Sequence, residues 1–252
     1  RSSASTGWMS MPVVAVPVGA VPDVVRDCAA KGVRGLVVVS AGFAETGPEG
    51  RHRQAELVQV ARSNGMRVVG PNCLGVVNND PKFSLNASMA PVVPTAGRVG
   101  FFSQSGALGV AILGWVATRG LGLSTFVSAG NRADVSGNDL LQYWQDDPAT
   151  EVVLLYLESL GNPRKFARLA RRVATAKPVV AVKSGRSTQG IPVGHTVRLT
   201  AAPAAALDAM FRQSGVIQVD NLAEMFDVAQ VLAFQPLPAG RRVAVVGNSD
   251  SL

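Results

Sequence analysis

His195 is one of only two histidines in this chain of 252 residues. It sits in the run PVGHTVRLT (192–200), after the strand-like KPVVAVKSG (177–185) and before an alanine-rich helical stretch. Imidazole is a competent nucleophile and phosphoryl carrier near neutral pH. Loops held by a rigid sheet are where such groups collect, although a lone loop histidine can equally be inert. Three other strand-end loops carry residues suited to the same chemistry. SQSGALG (103–109) ends a strand at Ser103 and opens a helix near Gly106, with Ser105 placed to cap it. The free N–H groups and dipole of such a helix start form an anion site. GPNCLG (70–75) is a tight turn whose N–H groups either cradle a phosphate or simply join two elements. YLESLG (156–161) places Glu158 at the end of a run that is apolar from Val152 to Leu157, so the acid is either exposed at the rim or held there for chemistry. Together the four loops describe a phosphate site at one edge of a sheet, with one histidine and one glutamate beside it. A serine hydrolase is disfavoured: Phe102 and Gln104 flank Ser103, so the G-x-S-x-G pattern is not met, and histidines to act as base are few.

Those loops need strands to carry them. Strands are expected at 13–17, 33–40 and 66–70, alternating with helices at 21–32 and 49–65. Residues 76–97, with three prolines, interrupt the rhythm. It resumes with strands at 98–103, 123–130, 151–159, 177–185 and 216–220, and helices at 106–120, 137–147, 163–176, 203–215 and 221–235. The strands are apolar nearly throughout, as parallel sheets covered on both faces require. A linker, PLPAG, leads to a further strand at 241–248. The chain thus reads as a fragment that starts inside one α/β unit and stops as another opens. A complete protein would leave an exposed terminal strand.

Composition bounds the partners. Apolar residues make up 47% and charged residues 16%, a globular balance. The formal charge is +7, but the basic residues are scattered and aromatics are only 6%, which argues against nucleic acid and for a phosphorylated small ligand. No apolar run approaches the roughly 20 residues of a membrane span. Cys28 and Cys73 have no metal-ligand spacing and imply no oxidising compartment, and no signal peptide is visible. No metal site and a cytoplasmic location are expected.

GPNCLG, GRVGFFSQSGALG, SAGNRADVSGNDLL, YLES, KPVVAVKSGRS, GHT and FRQSGVIQVDNLAEMFDVA follow in that order. This string resembles the NDP-forming acyl-CoA synthetases, relatives of the succinyl-CoA synthetase α subunit, over nearly everything from residue 13 onward. The resemblance implies an α/β fold with parallel sheets. Residues 1–12 would be a linker, and 13–78 the C-terminal part of a Rossmann-like CoA-binding domain. Residues 79–97 would be a crossover linker, 98–235 a flavodoxin-like CoA-ligase domain, and 236–252 a linker and the first strand of a further domain. It also implies a relay. Phosphate attacks an acyl-CoA thioester to give an acyl phosphate and CoA, and a histidine carries the phosphoryl group to ADP. In this relay His195 would be phosphorylated and Glu158 would orient and stabilise its imidazole. Ser103, Ser105 and Gly106 would hold phosphoryl oxygens, Cys73 and Leu74 would line the same pocket, and Gly130 and Asn131 would border the acyl group. ADP/ATP and Mg would belong to an ATP-grasp part outside this chain, and a homo-oligomer is expected.

One departure stands out. Val197 occupies the position where these synthetases carry glycine in His-Thr-Gly or His-Ala-Gly, which restricts the backbone where it nears phosphate. Related chains are also fused to acetyltransferase domains in bacterial protein lysine acetyltransferases, with the synthetase-like part acting as a ligand sensor. A catalytically degenerate regulatory module binding CoA or acyl-CoA is therefore the alternative.

Overall fold

A computed structural model describes residues 11–184 and 204–238, together with 240–242, 244 and 246. His195 and Val197 lie outside the described residues, as do residues 1–10 and half of the strand expected at 241–248.

The first sheet is parallel and three-stranded, in the order β1 (Val13–Val14), β2 (Gly35–Val38), β3 (Arg67–Val69). Side chains alternate across it. Leu36, Val38 and Val68 face α1 (Val21–Ala30) and α2 (Pro48–Ser63), meeting Val25, Leu57 and Ala61. Val37, Val39 and Val69 point the other way, into the core of the second sheet.

That second sheet has seven strands, β4 (Gly75–Asn78), β5 (Leu85–Ser88), β6 (Ala96–Ser103), β7 (Leu123–Ser128), β8 (Val152–Leu157), β9 (Val179–Lys183) and β10 (Ile217–Val219), in the order β10-β9-β8-β6-β7-β4-β5. Neighbours from β7 to β10 are parallel. Phe101, Leu154 and Val180 pack on α3 (Gly106–Thr118) and α7 (Leu222–Phe234) through Ile112, Val116, Met225 and Phe226. Phe102, Leu155 and Ala181 pack on α4 (Gly137–Asp146), α5 (Pro163–Ala174) and α6 (Ala204–Gln213) through Trp144, Phe166, Leu169 and Phe211. Both faces are dry, so every residue of β7, β8 and β9 is buried.

The expected α/β architecture holds, with two corrections. The segment 79–97 is not only a linker: it supplies β5 and the first residues of β6. β4, where no strand was expected, lies within residues 13–78 and joins the second sheet. There it runs antiparallel to both β5 and β7, so this edge departs from the parallel pattern. An edge hairpin needs only short strands, and its polar, proline-rich surroundings hide it from periodicity.

The chain places β7 on one side of β6 and then crosses to place β8 on the other. Such a reversal opens a crevice at the carboxyl ends of the two strands, which is where ligands bind in open α/β sheets.

Candidate functional site

Register brings the loops together. Ser103 is opposite both Tyr156 and Ser128, and Leu157 is opposite Lys183. The chain therefore leaves β6, β7, β8 and β9 along one edge of the sheet. The turn after β3 reaches the same edge from the first sheet.

At the start of α3, Ser105 is extended (φ −92°, ψ 120°) and its Oγ accepts from the Leu108 N–H at 3.4 Å. Ser103 is fully buried. Its Oγ accepts from the Ser105 N–H at 3.2 Å and donates to the Ser105 carbonyl at 3.0 Å, so this hydroxyl shapes the turn. A side chain at Gly106 would lie 3.6 Å from the Asn72 carbonyl oxygen and 3.8 Å from the Leu74 nitrogen, which places the helix start against the GPNCLG turn. Leu74 donates its N–H to Ser128 Oγ at 3.1 Å. Cys73 departs from expectation. The residue is 4% exposed, and its thiol turns towards the first sheet and donates to the Val38 carbonyl at 3.3 Å. Burial pushes it up to about 12, so it is an inert packing group and only its backbone adjoins α3.

The segment after β7 lies along the first sheet. Asn131, Ala133 and Val135 donate their N–H groups to Pro71, Gly70 and Val68 at 3.0, 3.0 and 3.1 Å, a ladder of alternate residues along β3 and its turn. Gly130 turns the chain into this ladder with φ 51°, and a methyl group there would come within 2.1 Å of the Asn72 carbonyl oxygen. The Asn131 amide donates to Gln54 Oε1 at 3.0 Å and to Glu45, and accepts from Asn72 at 3.4 Å. Asp134 pins the far end. Its side chain is 1% exposed and accepts from Arg62 Nε at 2.7 Å, Arg67 Nε at 3.0 Å and the Val68 N–H at 2.8 Å.

Glu158 is half-buried, and its backbone is held from two sides. Gln104 Oε1 accepts the N–H groups of Glu158 and Ser159 at 2.7 and 2.9 Å, and Gln104 Nε2 donates to the Ser159 carbonyl at 2.8 Å. Buried Lys183 donates to the Glu158 carbonyl at 2.8 Å. Glu158, Gly130 and Asn131 line one pocket of about 220 Å³, with Glu45, Arg51 and Arg132. Burial opposes ionisation of Glu45, but hydrogen bonds from Asn131 and from the Gly42 and Phe43 N–H groups outweigh it and hold the carboxyl below its usual range. Ser105, Gly106, Cys73 and Leu74 do not line this pocket; they lie across the 71–72 turn from it.

Gln104, Asp134, Glu45 and Arg132 escaped the sequence reading. Gln104 had a usable signal, since it is a polar residue between two others at a strand-to-helix turn. Among the described residues no group of three His, Cys, Asp or Glu could hold a metal ion, and no helix is long and apolar enough to cross a membrane.

Comparison with known proteins agrees with this architecture. A family described as "Succinyl-CoA ligase like flavodoxin domain" matches residues 96–232, and one described as "CoA binding domain" matches residues 6–79. The ADP-forming acetate–CoA ligase I subunit alpha of Pyrococcus furiosus is 39% identical over 246 residues, covering 97% of this chain and 53% of the relative. The ADP-forming acetate–CoA ligase I of Archaeoglobus fulgidus is 43% identical over 226 residues, covering 89% of this chain and 33% of the relative. The solved acetyl-coenzyme A synthetase 1 of Ca. Korarchaeum cryptofilum, in complex with phosphate and ADP, superposes with a TM-score of 0.84 at 36% identity, covering 94% of this chain and 51% of that one. The chain thus spans about half the length of the first relative and of the solved protein, and a third of the second. On its domain matches, its fold and these relatives, the chain belongs to the NDP-forming acyl-CoA synthetases, with a succinyl-CoA ligase-like flavodoxin domain behind a CoA-binding domain.

Proposed function

We propose that this chain is the part of an ADP-forming acid–CoA ligase that handles thioester and phosphate. The observation that carries the proposal is the closed circuit of loops at the β6/β8 crevice. The α3 start meets the 72–74 turn, that turn meets Gly130 and Asn131, these share a pocket with Glu158, and Gln104 ties Glu158 back to the α3 start.

The circuit divides the labour electrostatically. The pocket beside Glu158 also holds Glu45, and two carboxylates make it a poor seat for phosphate even with Arg51 and Arg132 present. The α3 start, with free N–H groups and no acidic residue in its first turn, is the better anion seat. The acyl group then occupies the pocket bordered by Gly130 and Asn131. Phosphate attacks the thioester carbonyl, the C–S bond breaks, and CoA leaves as acyl phosphate forms. His195 takes the phosphoryl group, which releases the carboxylic acid, and passes it to ADP to make ATP; in reverse the sequence makes acyl-CoA. Glu158 holds the imidazole in the reactive tautomer and stabilises its charged form. CoA is held over the carboxyl edge of the first sheet, and nucleotide and Mg by an ATP-grasp part that completes the enzyme. The "subunit alpha" in the name of the Pyrococcus furiosus relative supports a partner of this kind.

The test uses the full-length protein with its ATP-grasp part and γ-labelled ATP. An acid-labile, base-stable protein phosphate is expected, lost in His195→Ala and slowed in Glu158→Gln. Absence of the label, or its persistence in His195→Ala, defeats the relay. CoA binding without turnover would then favour the acetyltransferase-associated regulatory module.

A further inference from the structure

The backbone pairing of β6 with β8 runs on to Gln104, whose N–H donates to the Tyr156 carbonyl at 3.2 Å. Beyond that point the chain turns into α3, and the Gln104 side chain takes over. Its carboxamide has the donor and acceptor of a peptide group. It accepts from the Glu158 and Ser159 N–H groups at 2.7 and 2.9 Å and donates to the Ser159 carbonyl at 2.8 Å. A side chain thus prolongs the ladder past the residue where the two backbones part.

Gln104 is 5% exposed, so water competes little for these bonds. Among the described residues, the hydrogen bonds that hold Glu158 are on its backbone: Gln104 takes the N–H and Lys183 the carbonyl. The Glu158 carboxylate, on the wall of the pocket with Gly130 and Asn131, is therefore placed through its backbone. Gln104 also stands between Ser103 and Ser105, in the turn that opens α3. One residue has its backbone at the anion seat and its side chain under Glu158.

We infer that Gln104 is a positioning residue that sets the span between a phosphoryl group at the α3 start and the Glu158 carboxylate, the gap in which the His195 imidazole works. The inference rests on the reading of Glu158 as the group that orients His195. In the step concerned, an imidazole nitrogen attacks the acyl phosphate. A P–N bond forms, the P–O bond breaks and the carboxylate leaves, while the other ring N–H stays hydrogen-bonded to Glu158. A misplacement of about 1 Å can slow such a transfer about a hundredfold.

The full-length protein with its ATP-grasp part is mixed with phosphorus-labelled acetyl phosphate, and labelling of His195 is followed in a single turnover. Gln104→Met removes the side-chain bonds and should slow labelling about thirtyfold or more. Gln104→Glu keeps the acceptor for both N–H groups, and the Ser159 carbonyl retains Arg132, so its rate should stay within about fivefold of the wild type. In a Glu158→Gln background, Gln104→Met should add less than about twofold, because there is no carboxylate left to place. A merely structural glutamine would slow both backgrounds alike. Thermal melts check that each variant folds. Three results overturn the inference and leave the relay standing: an unchanged rate in Gln104→Met, an equal loss in both backgrounds, or a Gln104→Glu rate as low as that of Glu158→Gln. The last decides the matter if Gln104→Met does not fold. Absence of label in the wild type overturns both.

Discussion

The two sheets are supported differently. The seven-stranded sheet carries helices on both faces, and its central strands are buried end to end. The three-stranded sheet has its own helices on one face only. Val37, Val39 and Val69 on the other face are buried in the cluster that also contains Phe102 and Val127. The N–H groups of Asn131, Ala133 and Val135 run along the end of β3, and Asp134 holds them there. The smaller sheet therefore depends on the larger one, and the segment that docks it also carries Gly130, Asn131 and Arg132 into the site. Domain docking and site geometry are set by the same residues.

The largest expected effect tests that dependence. Asp134→Ala leaves Arg62 and Arg67 without their shared partner and should cost about 3 kcal/mol in urea unfolding, at the low end for a broken buried pair because both arginines are half-exposed. Amide exchange should rise at Val68 and Val69 well before it rises at Phe101 or Leu154. Equal acceleration in both sheets would show that the smaller one does not lean on the larger.

A pair of glycines gives a smaller, signed comparison. Gly130→Ala puts a methyl group into the Asn72 carbonyl at a left-handed φ and should cost about 2 kcal/mol, with loss of turnover in the complete enzyme. Gly114→Ala, in the middle of α3 with nothing within 4 Å, should instead stabilise by up to ~1 kcal/mol. Thermal melts of the two variants should shift in opposite directions. Two shifts of the same sign would mean that the seam is no tighter than the helix surface.

The smallest effect is one of pH. The folded state holds the Glu45 carboxyl below its ordinary value, so its contribution is complete above that ordinary value, near 4.5, and is lost as pH falls through the lowered one. The Asn131 side-chain amide signal should move over that acidic window in the wild type and stay flat in Glu45→Gln. A matching titration in the variant would place the responding group elsewhere.

Much of this was legible in the chain. Strand and helix order followed from apolar runs broken by polar, helical periods. Ser105 as a helix cap, Glu158 at the end of β8 and the GPNCLG turn all appear where expected. What was not legible has a common cause. Gln104 acts on residues 54 and 55 positions away, and Asp134 on residues 66 to 72 positions away. No local pattern marks such partners. Cys73 misled for a related reason: it stands in the right turn, but its side chain points to the sheet it came from. The β4–β5 hairpin was missed because two four-residue strands leave almost no periodicity to detect.

The amino-acid sequence by itself determined the alternation of strands and helices, the parallel sheets, the loops that gather at their carboxyl ends and the family to which they belong. These follow from hydrophobic spacing and turn chemistry, which act over a few residues. Only the tertiary structure decided which loops touch. It set Gln104 under Glu158, ran the Asn131–Val135 segment along β3 and turned Cys73 away. Those outcomes depend on how two separately patterned sheets dock, a matter of close packing and buried hydrogen bonds between residues far apart in the chain.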